Sequence, residues 1–490
     1  MRRELLEAFF ILCDRAELII RQNDGAKMIF KTATLGCKVN QYETQWLRSA
    51  FLENGWYEAD RNTPPEDVGL VLINTCSVTA ESDAKSRKLV AHYSRLFPNA
   101  EIVVCGCYAS SDPERVASLP HVSQVVVDKR RMAEFLRSRG LEIIPQRVSR
   151  LAERCRDYVK IQDGCRVGCA YCIIPTTRPY LWSRPAEEVC AEARALSENG
   201  YREIVLTGIH LGHYGLDLYP PTQAELDAAR AEGVDPSERR LTLEEYQARQ
   251  EAVPEESRFG LAELLRAIAE LRLPEMRVRL GSLEAVEIGD KILSVVESYP
   301  DIVCPHFHLS MQSGDDSVLR AMKRRWLSAP YIEKCKEIYR RIPDATITTD
   351  VIVGFPGETE EQFERTCDVV REVGFSRVHV FPFSARPGTV AAGLPEQVDP
   401  AVKKDRVARL QKIAREERER FARRFIGRNA RVVVESVETP LLAPSVARGT
   451  TDRYYEVLFQ VPAGRSVAAG DVVETKLVGL DGDVFSGETL

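Results

Sequence analysis

A short run of cysteines constrains this chain more than any other feature. The run GCRVGCAYC places Cys165, Cys169 and Cys172 in a CxxxCxxC pattern. Three thiolates on so short a loop can bind three irons of a cubane 4Fe-4S cluster and leave the fourth iron open for a small-molecule ligand. Gly164 and Gly168 allow the backbone conformations that such a tight wrap requires. The run therefore predicts an iron–sulfur cluster with one open coordination position.

The alternatives to a cluster are a zinc site and a chance group of buried thiols. Structural zinc prefers four ligands, which commonly come as two CxxC pairs. The sequence has no second pair close to this run. The pattern therefore favours a cluster over zinc.

The bulk composition limits the class of protein. A chain of 490 residues is too long for one core and is expected to form about three domains. Thirteen cysteines in so long a chain are too dilute for a disulfide scaffold, so we expect a reducing, cytoplasmic location. No apolar run is long enough to span a bilayer, so no membrane partner is expected. The net charge of −6 argues against a general nucleic-acid coat, so any RNA contact must be local.

The first 27 residues predict an amphipathic helix followed by a turn at Asn23-Asp24-Gly25. A signal peptide is the alternative, but its apolar stretch is short and is bracketed by Glu7 and Asp14. It is also open that Met28 is the working start and that this extension is dispensable.

Residues 28–140 alternate short apolar runs with helical segments, which predicts a doubly wound parallel α/β domain. Cys37, Cys76 and Cys107 each follow one of the first three apolar runs by two or three residues. The carboxyl ends of parallel strands meet at one crevice, so these thiols are expected to converge there. We predict a second iron–sulfur cluster with three protein ligands. Cys105, within the third run, is interpreted as a packing residue, and isolated buried thiols remain the alternative for all of them.

Residues 141–425 predict an incomplete (β/α)6 barrel. Six strand-like runs alternate with helical segments, at 158–161, 203–207, 277–280, 307–311, 346–352 and 377–383. The reactive face of a parallel barrel is at the carboxyl ends of its strands, which is where the CxxxCxxC run falls. Residues 219–259 interrupt this pattern with ten acidic and five basic residues, net −5, and predict a solvated surface insertion without a function.

The last segment, residues 426–490, predicts a small all-β barrel with strands near 430–437, 454–461 and 471–480. The helix predicted before it, at 402–428, has eleven basic and four acidic residues, net +7. Such a helix could contact phosphate backbones, but a charge run is also typical of a solvated face.

Several longer segments resemble the methylthiotransferase family of radical S-adenosylmethionine (SAM) enzymes, from Met28 to near the C-terminus. The matching segments are TLGCKVNQYET, INTCSVT, GCYAS, CAYCIIP, MQSGDDSVLRAMKRRW, TDVIVGFPGETEEQF and FSARPGTVA. The domain order is also similar, with a TRAM-type RNA-binding barrel last. Where the family usually has Arg-Gly, two residues and Arg-Ser-Arg, this chain has Arg178 to Arg184 without the glycine and one arginine, which puts a local loop shape and a phosphate contact in doubt.

The resemblance implies the reaction. GCKVNQYET is most similar to the branch that acts on N6-threonylcarbamoyladenosine in tRNA, beside the anticodon. A methylthio group would replace the hydrogen at carbon 2 of the adenine, with two SAM molecules used per turnover. The cluster on Cys165, Cys169 and Cys172 would cleave SAM to a 5′-deoxyadenosyl radical, and the cluster on the other three cysteines would hold the sulfur. A flavodoxin- or ferredoxin-type electron donor is expected; the oligomeric state is open.

The resemblance also implies contacts between the barrel and SAM. The expected cofactor-binding residues lie beside the cysteine run and at the ends of the barrel strands: Tyr171, Thr207, Gly208, Arg279, Ser282, Gln312 and Asp350. His210 and His213 are interpreted as polar lining outside the site.

Three other functions stay open at this stage. Two keep the chemistry and change the target to isopentenyladenosine in tRNA or to an aspartate of a ribosomal protein. The third is an iron–sulfur carrier or redox sensor that does not cleave SAM.

Overall fold

The structure, a computed structural model, describes residues 28–148, 156–439, 444–462 and 464–490. The predicted helix over residues 1–27 lies outside these ranges. Within them, no helix is both long enough and apolar enough to cross a membrane.

The N-terminal domain is a doubly wound sheet, as predicted. Its five parallel strands lie in the order β2-β1-β3-β4-β5. They are β1 (Ile29–Thr34), β2 (Tyr57–Glu58), β3 (Leu70–Thr75), β4 (Glu101–Gly106) and β5 (Val122–Val125). The helices are α1 (Lys38–Glu53), α2 (Ala80–Leu96), α3 (Cys107–Ser111), α4 (Pro113–Ala117) and α5 (Met132–Ser138).

The central strand β3 explains why this sheet needs helices on both faces. All six of its residues are buried. Leu70 and Leu72 pack in one core with Phe51 of α1, whereas Val71 and Ile73 join the opposite core. A strand that is apolar on both faces is typical of a parallel sheet covered by two helix layers.

The second domain is the open six-stranded barrel that the sequence predicts. Its strands, with three short β segments, are β6 (Arg156–Lys160), β7 (Gln162–Asp163), β8 (Trp182–Ser183), β9 (Glu203–Thr207), β10 (Arg277–Leu280), β11 (Ser282–Leu283), β12 (His306–Leu309), β13 (Thr346–Val353) and β14 (Arg377–Pro382). Strands β6, β9 and β10 pair in parallel, as do β11 to β14, and a bridge between Val278 and Val303 joins the two sheets. The described ranges contain no pairing of β14 with β6, so the barrel is open there.

The outer layer of this domain is helical. Its helices are α6 (Ile174–Thr177), α7 (Ala186–Glu198), α8 (Gln223–Glu232), α9 (Leu243–Glu251), α10 (Leu261–Glu270), α11 (Asp290–Ser298), α12 (Asp316–Ala321), α13 (Ser328–Arg341), α14 (Glu360–Val373) and α15 (Pro400–Ala422). Short 3-10 helices lie at Pro65–Asp67, Lys129–Arg131, Leu211–His213, Glu255–Ser257, Ala285–Glu287, Val390–Gly393 and Arg423–Phe425.

The insertion at 219–259 contributes α8 and α9 and is not only a surface excursion. It touches the N-terminal domain through Arg130, which forms an ion pair with Glu238 at 3.1 Å. The same guanidinium lies 3.7 Å from the centre of the Tyr180 ring. The insertion therefore helps to join the first two domains.

The C-terminal domain is a closed barrel in the order β15-β16-β17-β19-β18. The strands are β15 (Asn429–Glu438), β16 (Val446–Thr451), β17 (Glu456–Gln460), β18 (Val472–Asp481) and β19 (Val484–Thr489). Three of them were predicted; β16 and β19 were missed because Gly, Thr and Ser interrupt their apolar pattern.

The basic helix α15 uses part of its charge to hold the fold together. Arg406 is buried and donates to Glu358 at 2.8 Å, and Arg409 donates to Glu360 at 2.6 Å. Arg418, also buried, donates to Asp483 of the C-terminal barrel at 2.7 Å. Its other basic residues include several exposed ones.

Candidate active site

Cys37, Cys76 and Cys107 lie at one edge of the N-terminal sheet. Cys76 and Cys107 directly follow β3 and β4, and Cys37 follows β1 and begins the turn into α1. This is the convergence that the parallel topology predicts. Two glycines permit it, and each precedes a cysteine.

Gly36 and Gly106 have φ angles of +122° and +97°, which L side chains rarely adopt. A Cβ on Gly36 would lie 3.1 Å from the Cβ of Cys76. A Cβ on Gly106 would lie 2.3 Å from the carbonyl oxygen of Thr75. The three cysteine loops are therefore packed against one another.

Side chains fix these loops and surround the thiols with positive charge. Asn40 donates to the carbonyl oxygens of Leu35 and Thr75, both at 3.0 Å. Lys129 Nζ lies 3.2 Å from Cys107 Sγ and donates to it. Burial would raise the pKa of Cys107, but the charges of Lys129 and Arg178 outweigh it and lower the pKa. Cys107 is thus prepared to ligate iron as a thiolate.

Cys105 has the opposite environment. It lies within β4 and packs in the core beside α1 and α5. Burial raises the pKa of its thiol to about 12. This agrees with our interpretation of Cys105 as a packing residue.

The second cysteine loop follows β6 and β7 of the barrel. Gly164 and Gly168 have φ angles of +79° and +75°. A Cβ on Gly164 would lie 2.0 Å from the carbonyl oxygen of Tyr180, so only glycine fits this turn. The loop is anchored on both sides, since the Ala170 N–H donates to the Met322 oxygen at 2.9 Å and its carbonyl accepts from Ala391 at 2.8 Å.

Polar donors reach two thiols of this loop. Arg324 donates to Cys169 Sγ at 3.3 Å and to the Tyr171 hydroxyl at 3.2 Å. The N–H of Ile174 donates to Cys172 Sγ at 3.4 Å. Burial, which outweighs the charge of Arg324, raises the pKa of Tyr171 well above its usual range, so its hydroxyl stays protonated beside the thiols.

His210 belongs to this site, contrary to our interpretation. Its Nδ1 lies 3.7 Å from Cys165 Sγ, and its Nε2 contacts the Glu287 carboxylate. Burial would lower the pKa of His210, but Glu287 raises it to about 10. The centre of the His213 ring lies 3.9 Å from that of His210, with the rings tilted by 30°. Burial and the neighbouring His210 lower the pKa of His213 to about 2. The position of both histidines just beyond the strand predicted at 203–207 was the sequence feature that could have indicated this site.

The residues predicted to contact the cofactor lie in different surroundings. Thr207 ends β9 and Gly208 follows it, where an added Cβ would lie 3.0 Å from the Oε1 of Gln162. Gln312 adopts a φ of +71° and pairs with the backbone of β13, where its backbone N–H donates to the backbone carbonyl oxygen of Asp350 at 2.8 Å. Ser282 begins β11 and is exposed.

Arg279 is in a different place from the one we expected. It donates to Glu203 at 2.9 Å and to the carbonyl oxygens of Thr451 and Asp452, at 3.0 and 2.8 Å. Its guanidinium lies 4.8 Å from the centre of the Tyr454 ring. The prediction of a SAM contact is therefore corrected, because Arg279 docks the C-terminal barrel at the amino end of the strands.

A buried ion network joins the two cysteine sites. Arg178, only 4% exposed, donates to Asp163 at 2.6 Å, to Glu43 at 2.7 Å and to Asn40 at 3.0 Å. Lys160 donates to the same two carboxylates, at 2.6 and 2.7 Å. Since Asn40 holds the first set of loops and Asp163 precedes the second, this network fixes one site relative to the other.

The two sites also touch directly across the domain boundary. Helix α3, which starts at Cys107, packs against α6, which starts two residues after Cys172. Each site offers three thiols, and each includes a cationic donor to sulfur. Such donor sets fit two 4Fe-4S clusters.

Comparison with known proteins agrees with this geometry. The radical SAM superfamily matches residues 159–370, and the uncharacterized protein family UPF0004 matches residues 29–128. A radical SAM methyltransferase, TsrM from Kitasatospora setae, has a similar fold with a TM-score of 0.50 and 13% identity, over 74% of this chain and 77% of that one. The fold and the three-cysteine loop define a radical SAM enzyme.

Relatives in sequence narrow this class. The threonylcarbamoyladenosine tRNA methylthiotransferase MtaB of Bacillus subtilis is 33% identical over 91% of this chain and 92% of its own length. Its namesake from Thermotoga maritima is 32% identical over 82% of this chain and 85% of its own length. The chain belongs to the radical SAM methylthiotransferase family, whose members use SAM and two 4Fe-4S clusters.

Proposed function

We propose that this protein transfers a methylthio group to carbon 2 of N6-threonylcarbamoyladenosine, beside the anticodon of tRNA. The relatives with that name cover most of the chain at 27–33% identity. The single observation that carries the proposal is the pair of three-thiol sites joined by α3, α6 and Arg178.

The chemistry explains why this arrangement is needed. The C–H bond at carbon 2 is not acidic, so a side-chain base cannot remove its proton usefully at neutral pH. When bound, the cluster on the barrel loop with SAM supplies a carbon radical that can take the hydrogen atom, and the auxiliary cluster supplies the sulfur. The protein contributes position and exclusion of water.

The roles of the cysteines follow from this proposal. Cys165, Cys169 and Cys172 ligate the cluster that binds SAM. Cys37, Cys76 and Cys107 ligate the auxiliary cluster.

Neighbouring cations and network residues keep these loops in place. Lys129 and Arg324 donate to thiolate sulfur. Arg386, from the segment after β14, donates to Asp83 at 2.6 Å and contacts Ser77, next to Cys76. This contact ties the auxiliary loop to the barrel.

The partners follow from the reaction. The substrate is tRNA, which we place across the open side of the barrel with the C-terminal barrel and the exposed face of α15 nearby. A flavodoxin- or ferredoxin-type protein is the proposed electron donor. The reducing cytoplasm, where tRNA and such donors occur, is the proposed location.

Nucleoside analysis of tRNA tests the substrate. In a strain that lacks this protein, threonylcarbamoyladenosine should lose its methylthio group, and the wild-type gene should restore it. A gene encoding Cys165→Ala, Cys169→Ala and Cys172→Ala together should not. Relatives named as dimethylallyladenosine synthases are also similar, at 28–31% identity. Loss of the methylthio form of dimethylallyladenosine alone would contradict the proposal, as would loss of the group from a ribosomal protein.

A further inference from the structure

The strands of the barrel enclose a polar interior. Alternate strand residues such as Ile204, Val278 and Phe307 point outward into the apolar core under the helices. Their neighbours point inward, because successive side chains of a strand alternate between faces. The interior wall is therefore lined by polar groups, among them Tyr158 of β6 and His308 of β12.

One residue of this interior comes from the other domain. Lys38, the first residue of α1, places its Nζ 5.9 Å from the centre of the Tyr158 ring. Tyr158 lies on β6 of the barrel. The side chain thus runs from the auxiliary cysteine loop into the barrel.

The ammonium of Lys38 is not directly paired with a carboxylate. Within the part of the chain that the structure describes, its side chain takes part in no ion pair or hydrogen bond, and its ammonium lies over the Tyr158 ring. Lys160, the other lysine of the interior, is paired with both Glu43 and Asp163. The contrast indicates that Lys38 is available to a ligand, since an unpaired cation that is partly removed from water is costly.

The neighbouring acids are already engaged. Glu203 accepts from Arg277 at 2.6 Å and from Arg279 at 2.9 Å. Asp350 accepts from His308 Nε2 at 3.1 Å, and His308 Nδ1 lies 2.8 Å from the Thr348 hydroxyl. These partners leave the carboxylates fixed on the wall of the barrel interior rather than on Lys38.

The substrate provides the missing charge. A threonylcarbamoyl group keeps the carboxylate of its amino acid, which is negative at neutral pH, whereas a dimethylallyl group has no charge at all. A charge-assisted hydrogen bond from ammonium to carboxylate is among the strongest single contacts available to a protein. An uncharged substrate would leave the Lys38 ammonium unpaired, and the resulting loss of binding free energy would select against that substrate.

We propose that Lys38 binds the carboxylate of the N6-threonylcarbamoyl group and so selects this nucleoside over uncharged N6-substituted adenosines. The inference rests on the proposed function. It assigns a specificity role to a side chain beside the auxiliary site.

Binding and turnover of two anticodon stem-loops test this role. One carries threonylcarbamoyladenosine, and the other carries its neutral methyl amide. Fluorescence anisotropy, with the full chain loaded with both clusters and without reductant, gives Kd for each. Wild-type protein should bind the carboxylate form about ten- to a hundredfold more tightly, which is the strength of one hydrogen bond to a charged group.

Lys38→Met should remove this preference by weakening only the carboxylate form, with the iron content unchanged. Lys85→Met, an exposed lysine of α2 in the same domain, is the control and should keep the preference. If wild-type protein binds both stem-loops equally, the inference is overturned whatever the variants do. Equal loss of both stem-loops in Lys38→Met also overturns it. Failure of wild-type protein to methylthiolate the threonylcarbamoyl stem-loop would instead contradict the proposed function.

Discussion

The Arg178 network should be worth several kilocalories per mole to the contact between the first two domains. Arg178→Met removes the donor shared by Glu43, Asp163 and Asn40 and leaves Lys160 as the cation for both carboxylates. Removing one partner from a buried ion pair costs about 3–5 kcal/mol. Because Lys160 remains, we expect the lower end, about 3 kcal/mol. Domains of this size shift by about 2–4 °C per kcal/mol, so Tm should fall by about 6–12 °C.

Differential scanning calorimetry of the anaerobic, iron-counted protein measures this shift. Arg340→Met is the matched control, because its ion pair with Glu333 is exposed on both sides, at 66% and 62%. Such surface pairs contribute about 0–1 kcal/mol, so the control should lower Tm by no more than about 4 °C. If Arg178→Met behaves like the control, the network does not hold the two sites together and the reasoning is refuted.

Three further predictions follow from buried groups near the sites. Cys107→Ser should lose the auxiliary iron, because the Cys107 thiol accepts from Lys129 at the cysteine site. Cys105→Ser should keep that iron, because the Cys105 thiol packs in the core. Equal iron content in both variants would contradict the assignment. Arg279→Met should weaken tRNA binding, measured by filter binding, because Arg279 docks the C-terminal barrel. It should leave SAM binding unchanged. A selective loss of SAM binding would instead support a contact between Arg279 and SAM. Burial would raise the pKa of Asp163, but Arg178 and Lys160 lower it to about 2. The stabilisation that the ionised Asp163 carboxylate gives to the folded state is therefore complete above the pKa of about 4 that Asp163 has in the unfolded chain. This stabilisation is lost as the pH falls toward 2. Between those pH values Tm should fall more steeply for wild-type protein than for Asp163→Asn, and parallel profiles would show that Asp163 contributes nothing.

The sequence predicted the parts of the site that depend on local spacing. The cysteine loops could be placed because each follows an apolar run, and parallel strands bring such loops to one edge. Gly164 and Gly168 supported the barrel cysteine loop, and the structure gives both a positive φ. Gly36 and Gly106, which the sequence analysis did not single out, also have a positive φ.

What the sequence could not show depends on contacts between distant segments. Arg279 matched a cofactor contact by its place on a strand, but the C-terminal barrel docks on it from more than a hundred residues away in sequence. His210 was interpreted as polar lining, because its contacts with Cys165 and Glu287 join segments that are distant in sequence. The direction of Lys38 into the barrel also depends on how two domains meet. The periodicity of apolar residues predicts local elements and carries no information on contacts between distant segments.

The most direct measurement for the whole account is Mössbauer spectroscopy with iron, sulfide and zinc counting on the anaerobic full-length protein. Wild-type protein should hold about eight irons per chain, as two 4Fe-4S clusters. Each triple alanine variant, at Cys37, Cys76 and Cys107 or at Cys165, Cys169 and Cys172, should keep about half of that iron. One cluster in wild-type protein, zinc in either site, or loss of all iron from either variant would contradict two separately ligated clusters.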